Sequence, residues 1–305
     1  MRRFLLLFFV VTTVLILAII LKLRLFTSSE QTSKITITAS FYPLAYFASS
    51  IGGDHVFVTT ITPAGAEPHD YEPTTQDIIT ISKSRLLILN GGNVEPWGDK
   101  IKDQLKGTST QVLVAGDGLF NQNLQENGQK IIDPHIWLDP LLAKKEAEAI
   151  EKHLVAIDPA HQGDYLRNLK TLETELDALD RAYKAAFTSC TLKSFVTSHA
   201  AFGYLATQYN LTQIAISGIS PDEEPSTQKI AEIAQLVKSQ HIPYIFFESL
   251  VSPKLSDTIA AETGAQTLVL DPLEGIPQEK QVSGANYFTI QEQNLVNLRK
   301  ALICQ

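Results

Sequence analysis

The chain has 305 residues, 44% of them hydrophobic and 19% charged, which is typical of a folded protein long enough for two domains. Its net charge of -8 argues against a nucleic-acid partner, because such partners favour a basic surface. The two cysteines, Cys190 and Cys304, are too few for a four-thiolate zinc site but allow one disulfide in an exported protein.

The N-terminal segment predicts export. After "MRR", an uncharged stretch of 18 residues runs from Phe4 to Leu21, which is the lower limit for a membrane-spanning helix and exceeds most signal-peptide cores. The best cleavage pattern, "TSS" at Thr27, is weak. We therefore favour an uncleaved N-terminal anchor and polar tether over residues 1–33, and we exclude a lipoprotein because no cysteine follows the apolar stretch. The remaining chain is expected in the periplasm or on the outer face of the cytoplasmic membrane.

Strand and helix patterns alternate from Lys34 onward. Four short apolar stretches read as strands: "KITITAS", "VFVTTIT", "RLLILNGG" and "QVLVAGDG". Helical patterns separate them: "PLAYFASSIGG", "TTQDIITISKS" and "EPWGDKIKDQLKG". Such repeated βα units predict an α/β lobe with a parallel sheet over residues 34–158.

One long charged helix is predicted next, and we assign residues 159–188 to it. Its leucines recur at three- and four-residue steps, namely Leu166, Leu169, Leu172, Leu176 and Leu179. Either a coiled-coil partner or a rigid connection between two lobes would explain this stripe. The βα alternation then resumes with "SFVTS", "TQIAIS", "PYIFFES" and "QTLVLD", which predicts a second α/β lobe over residues 189–305.

Three of the seven histidines occupy similar places near predicted strand-to-helix turns. They are His69 in "EPHDYEPT", His135 in "DPHIWLDP" and His199 in "FVTSHAAFGYLA". In α/β folds these turns share one side of the sheet, where ligands bind. The intervals from 69 to 135 and from 135 to 199, 66 and 64 residues, fit no local zinc finger. They fit ligands that separate lobes bring to a common cleft.

A fourth ligand is expected from a strand end. The last predicted strand, "TLVLDPL", ends in Asp271, and Glu248 at the end of "YIFFES" is its competitor. A carboxylate in such a place can also be a helix cap or an ion-pair partner. Three imidazoles and one carboxylate make a four-coordinate shell suited to zinc, while imidazole also suits copper and nickel, and carboxylate admits manganese.

Seven landmarks in order resemble one known family: "GAEPHDYEPT", "EPW", "DPHIWLDP", "SHAAFGYLA", "GISPDEEPS", "FFES" and "LDPL". Over residues 35–305 the chain is similar to the metal-binding proteins of zinc and manganese ABC importers, the ZnuA/TroA-like family. The resemblance implies two βα lobes with parallel sheets joined by one long rigid helix. It also implies metal ligands at His69, His135, His199 and Asp271.

The resemblance further implies a receptor that delivers Zn(II) to an ABC permease. This receptor is expected to be monomeric and to catalyse no reaction. Manganese-preferring members often carry a glutamate at the third ligand, so His199 favours zinc, although some three-histidine members take Mn(II) as well. One departure is the stretch "GLFNQNLQENGQKIIDPH", which lacks the His-rich insertion of many zinc-specific members. Another is the missing lipobox.

Two other functions are compatible with the residues. A zinc hydrolase would keep its fourth coordination position open for water and use Glu67, Glu72 or Glu248 as the base, although the chain has no HExxH motif. A surface adhesin or scaffold would use the acidic "SPDEEPS" loop as a docking surface. Occupancy of the fourth position distinguishes the hydrolase from the receptor.

Overall fold

The computed structural model describes residues 12–13, 34–126, 129–221 and 223–305. The predicted anchor and tether therefore lie outside the described residues, apart from Thr12 and Thr13. In the part of the chain that is described, no helix has the length and apolar character needed to cross a membrane.

The strands form two parallel four-stranded sheets and one antiparallel hairpin. The first sheet has the order β2-β1-β3-β4, the second has the order β10-β9-β7-β8, and β5 pairs with β6. The described strands are β1 Ile35–Ala39, β2 Val56–Thr60, β3 Leu86–Leu89, β4 Gln111–Val114, β5 Asn123–Glu126, β6 Gln129–Ile132, β7 Ser194–Thr197, β8 Thr212–Ala215, β9 Tyr244–Phe247 and β10 Gln266–Val269. The hairpin is absent from the sequence-based prediction.

Helices connect the strands of each sheet, as expected for parallel pairs. The described helices are α1 Tyr42–Gly52, α2 Thr75–Lys83, α3 Gly98–Gln104, α4 Pro140–Ile157, α5 Gln162–Ala186, α6 Gly203–Gln208, α7 Thr227–Ser239, α8 Lys254–Thr263, α9 Gln278–Val282 and α10 Tyr287–Ala301. At α2, Thr74 and Asp77 form a capping box.

The long helix α5 has 25 residues and therefore spans about 37 Å. Its buried stripe consists of Tyr165, Leu169, Leu172, Leu176, Leu179 and Tyr183. Leu166 was expected in this stripe but is 47% exposed, because Tyr165 takes the inward position. The stripe packs against helices α1, α4 and α10 of the same chain, so it needs no coiled-coil partner.

The two sheets, each with its helices, form two α/β lobes that share apolar packing. Residues 35–305 make up one compact unit. A single cluster of buried side chains includes Ile37 and Leu86 from the first sheet together with Phe195 and Phe246 from the second. Because this core is continuous, the lobes position residues from both sheets relative to each other.

A disulfide closes the second lobe. Cys190 follows the end of α5, and Cys304 follows the end of α10 near the C-terminus. Their sulfurs are bonded, and the two residues also form an isolated antiparallel bridge. The structure therefore shows the pairing that the sequence allowed but did not establish.

One buried carboxyl group, Glu146 on α4, has no described partner. The side chain is fully buried, and neither oxygen has a hydrogen-bond partner among the described residues. Burial, reinforced by the nearby Glu95 carboxylate, raises the pKa of Glu146 well above its ordinary value. The folded protein therefore disfavours the charged form of this group.

We expect Glu146→Gln to raise Tm at pH 8 and to change it little at pH 4. A raised folded-state pKa contributes stability below the unfolded pKa of about 4.3, and this contribution is lost as the pH rises toward the folded value. Differential scanning calorimetry at both pH values measures the effect. Glu148→Gln, at a half-buried site on the same helix, is the matched control and should leave the pH dependence unchanged. An identical Tm change at both pH values would contradict this interpretation.

Candidate metal site

His69 lies in the loop between β2 and α2, which contains three prolines. Pro63, Pro68 and Pro73 restrict this loop, and it turns at Gly65, whose φ is +83°. Although Pro63 and Gly65 are exposed, the His69 side chain is buried. The loop therefore directs an imidazole into the protein.

His135 and His199 come from the two different lobes and are fully buried. His135 precedes a short 3-10 turn, Ile136–Leu138, that leads into α4. His199 follows the carboxyl end of β7, two residues after its last residue. The structure thus brings together all three histidines that were selected as candidate ligands.

The three Nε2 atoms converge on a fourth side chain, Glu274. Its Oε1 lies 3.6 Å from Nε2 of His69, 3.3 Å from that of His135 and 3.3 Å from that of His199. The Nε2 atoms of His69 and His135 are 3.3 Å apart. One ligand atom each from His69, His135 and Glu274 can therefore surround a single ion.

The polar atoms at the centre of this cluster do not satisfy one another. Both Glu274 oxygens and Nε2 of His199 lack a hydrogen-bond partner among the described residues, although all are buried. Facing lone pairs repel unless a proton or a cation lies between them. Because buried polar groups are normally paired, this arrangement fits a cation-binding site.

Asp271, the expected fourth ligand, is not brought into the cluster. Its Oδ2 accepts from the Ser249 hydroxyl at 2.5 Å, and its Oδ1 accepts from the Leu273 N–H at 2.9 Å. The Asn294 side chain binds its backbone N–H and C=O. Asp271 thus shapes the loop, and the structure places Glu274, three residues later, among the histidines.

Local backbone geometry explains why Glu274 faces inward. Leu273 adopts a φ of +60°, unusual for a residue with a side chain, and this reverses the chain just before Glu274. A Cβ at Gly275 would lie 3.2 Å from the Ala66 carbonyl oxygen, so glycine permits the close approach of the His69 loop. Trp137 donates to the Pro272 carbonyl at 2.7 Å and links this loop to the His135 segment.

The charges within the cluster shift the pKa values of its members. Burial lowers the pKa of His69 despite contact with Glu274. Burial also acts on His199, but the Glu248 and Glu274 carboxylates outweigh it and raise its pKa well above the ordinary value. Burial likewise lowers the pKa of His135, but the Asp133 and Glu274 carboxylates outweigh it and raise this pKa above its ordinary value. The histidines in turn hold the pKa of Glu274 well below its usual range despite burial.

The three carboxylates considered as catalytic bases are poorly placed for that role. Burial, together with the Glu274 charge, raises the pKa of Glu67 to about 10, so it is protonated at neutral pH. Glu72 is exposed on the loop surface. Glu248 Oε1 binds Nδ1 of His199 at 2.6 Å.

A cleft of about 540 Å³ between the lobes is lined by Glu274. Tyr42, Tyr46 and Thr62 line it from the first lobe, and Gln278 lines it from the second. The buried site therefore borders a surface cleft on the side of Glu274.

Two α/β lobes, a long helix and a buried group of three histidines and one carboxylate define a two-lobed metal-binding protein.

Comparison with known proteins gives the family. The sequence model of the ZnuA family, described as the periplasmic component A of a zinc-uptake complex, matches residues 37–301. The chain belongs to this family. It is 34% identical over 290 residues to the high-affinity zinc uptake system protein ZnuA of Bacillus subtilis, with 90% of each chain covered.

Streptococcal proteins are similar as well. The zinc-binding protein AdcA of Streptococcus pyogenes is 36% identical over 286 residues, which cover 87% of this chain but only 56% of AdcA. The Zn(II)-bound ZnuA-like domain of Streptococcus pneumoniae AdcA has a TM-score of 0.78 and 36% identity, and 88% and 99% of the two chains are covered. The laminin-binding protein Lmb of Streptococcus agalactiae has a TM-score of 0.81 and 33% identity, with 88% and 100% covered. These likenesses confirm the predicted fold.

Proposed function

We propose that this chain is the extracytoplasmic solute-binding protein of a zinc ABC importer. It captures Zn(II) between the two lobes and delivers it to a membrane permease. The observation that carries this proposal is the convergence of three buried Nε2 atoms on the Glu274 carboxylate. The names of the Bacillus and streptococcal relatives, which refer to zinc binding and zinc uptake, support it.

The donor set favours zinc over manganese. We propose His69, His135, His199 and Glu274 as the ligands, with Glu274 in place of Asp271. Three imidazoles and one carboxylate suit tetrahedral zinc, whereas manganese prefers oxygen ligands and stands lower in the affinity series. Mn(II) is therefore expected to bind this site more weakly than Zn(II).

The same geometry supports a receptor rather than a hydrolase. Four protein ligands complete the shell of a tetrahedral zinc ion and leave no position for an activated water. The Glu67 carboxyl is protonated and Glu248 is engaged by His199, so neither is a free base. We therefore propose that the chain binds and releases its metal without catalysing a reaction.

The disulfide supports a location outside the cytoplasm. Disulfides such as Cys190–Cys304 persist in oxidising compartments and are rare in the cytosol. The related AdcA of Streptococcus pneumoniae is named a zinc-binding lipoprotein, which places a relative at a membrane surface. We propose the outer side of the cytoplasmic membrane, with the ABC permease as the partner.

Metal titration of residues 34–305 tests this function. The metal-free protein would be titrated with Zn(II) and with Mn(II) in competition against a chelator of known affinity. One tight equivalent of zinc and weaker binding of manganese are expected. Absence of tight binding of either metal would contradict the proposed function.

Zinc affinity should fall as the pH is lowered from 8 to 5.5. Zinc needs neutral imidazole at Nε2, whereas Glu248 and Glu274 favour the protonated form of His199. Because the pKa of His199 is raised, a proton still competes with zinc for this imidazole at pH values above the ordinary histidine pKa of about 6.5. Each proton that zinc must displace lowers the affinity about tenfold per pH unit. Calorimetry in buffers of different ionisation enthalpy measures the released protons. An affinity independent of pH over this range would contradict the expectation.

A further inference from the structure

Two of the three histidines each bind a buried carboxylate through Nδ1. Nδ1 of His135 lies 2.8 Å from Oδ1 of Asp133, and Nδ1 of His199 lies 2.6 Å from Oε1 of Glu248. The carboxylate side chains are only 1% and 3% exposed. Since an ionised carboxylate can only accept, each contact places the proton of the neutral imidazole on Nδ1, so that Nε2 carries the lone pair when the ring is neutral.

Both carboxylates are held by further bonds to the same segments. Oδ1 of Asp133 also accepts from the backbone N–H of His135 at 3.0 Å. Oε1 of Glu248 accepts from the Ser198 hydroxyl and from the backbone N–H of His199. Their orientation is therefore set together with that of the imidazoles they bind.

The bound oxygens face away from the point where the Nε2 atoms converge. The two nitrogens of an imidazole direct their bonds to opposite edges of the ring, so a group on Nδ1 lies across the ring from a metal on Nε2. Glu248 can approach His199 and Glu274 closely enough to form a possible ligand group, but its Oε1 is already bound to Nδ1. Asp133 and Glu248 thus bind the imidazoles of His135 and His199 on the side away from the metal position.

Gly203, at the start of α6, borders the space that the Asp133 carboxylate occupies. A Cβ at this residue would lie 2.5 Å from Oδ2 of Asp133. An alanine there would displace the Asp133 carboxylate, and none of the atoms nearest to its Cβ belongs to a ligand. Glycine is therefore the residue that leaves room for the Asp133–His135 pair.

His69 differs from the other two histidines. Among the described residues, no carboxylate contacts its Nδ1. Its ring is held by the loop from Pro63 to Thr74, where the backbone N–H of His69 meets Oε1 of Glu67 at 3.3 Å. Its tautomer is thus not set by a partner of the kind that His135 and His199 have.

We propose that Asp133 and Glu248 are positioning residues that hold His135 and His199 as Nδ1–H tautomers with Nε2 directed at the metal. Two ligands are then oriented before the metal arrives. This inference rests on the proposed zinc-binding function.

The test combines zinc titration with ¹⁵N NMR of the imidazoles. In the zinc-loaded wild type, Nδ1 of His135 and His199 should retain slowly exchanging protons, with zinc on Nε2. Asp133→Ala and Glu248→Ala should each lose about 10–100-fold in zinc affinity and should lose the corresponding Nδ1–H signal. Asp133→Asn and Glu248→Gln retain an acceptor oxygen, so their losses should be smaller and the signals should remain.

Gly203→Ala extends the test without altering a polar group. It should reduce zinc affinity and shift the His135 signal, whereas Gly163→Ala, near the exposed start of α5, is the matched control and should do neither. Zinc bound through Nδ1 in the wild type, or unchanged affinity in both alanine variants, would overturn the inference while leaving zinc binding intact. Failure of the wild type to bind zinc would instead overturn the proposed function. If an alanine variant does not fold, the zinc affinities and Nδ1–H signals of Asp133→Asn, Glu248→Gln and Gly203→Ala test the inference instead.

Discussion

Replacing Glu274 with alanine is expected to weaken zinc binding by more than about 100-fold, beyond the loss typical of residues that only orient a ligand. The change removes the carboxylate that all three Nε2 atoms approach within 3.6 Å. The remaining histidines would hold zinc with an open fourth position. Competition titration against a chelator, with wild type and variant at the same pH, measures the loss.

Asp271→Asn is the control for this prediction, and it also tests the ligand expected from the sequence. The asparagine oxygen can still accept from the Leu273 N–H, and the amide NH2 can donate to the Ser249 hydroxyl oxygen, so the loop should keep its shape. We therefore expect only a small change in zinc affinity. A larger loss for Asp271→Asn than for Glu274→Ala would reinstate Asp271 as the fourth ligand.

Removal of the disulfide by the double substitution Cys190→Ala and Cys304→Ala should lower the free energy of unfolding substantially. The bond closes a loop with a sequence separation of 114 residues, for which chain entropy gives about 4.7 kcal/mol. For a chain of this size, that loss corresponds to a decrease in Tm of about 8 °C. Calorimetry of the metal-free proteins measures it, since bound zinc would add its own stabilisation.

Zinc affinity at 25 °C provides the internal control for the double variant. Cys190 follows the end of α5 and Cys304 follows the end of α10, and neither belongs to a ligand loop. The affinity should therefore remain that of the wild type while Tm falls. An unchanged Tm would show that the packing of α5 and α10 alone holds the C-terminus in place.

Regular features of the fold are readable from the sequence because burial leaves a clear pattern. The β3 strand Leu86–Leu89 is buried at every residue, and its continuous apolar sequence predicted a buried parallel strand. The hairpin of β5 and β6 was missed because "NLQENGQKII" lacks a clear alternation of apolar and polar residues. In α5, Leu166 was misplaced because two tyrosines extend the buried stripe.

The histidines and the carboxylate differ in predictability for a physical reason. His69, His135 and His199 lie in loops at related places of the two lobes, and topology brings such loops together. Glu274 depends instead on a local reversal at Leu273, a residue type that rarely adopts positive φ. The only signal in the sequence is a second carboxylate, followed by Gly275, just beyond the strand-end Asp271.

A structure of the zinc-loaded protein at atomic detail tests the central claim most directly. We expect one zinc ion bound by Nε2 of His69, His135 and His199 at about 2.0–2.1 Å and by the Glu274 carboxylate at about 2.0–2.2 Å, without a bound water. A zinc ion with water or Asp271 in the fourth position, and with Glu274 outside its coordination shell, would contradict it.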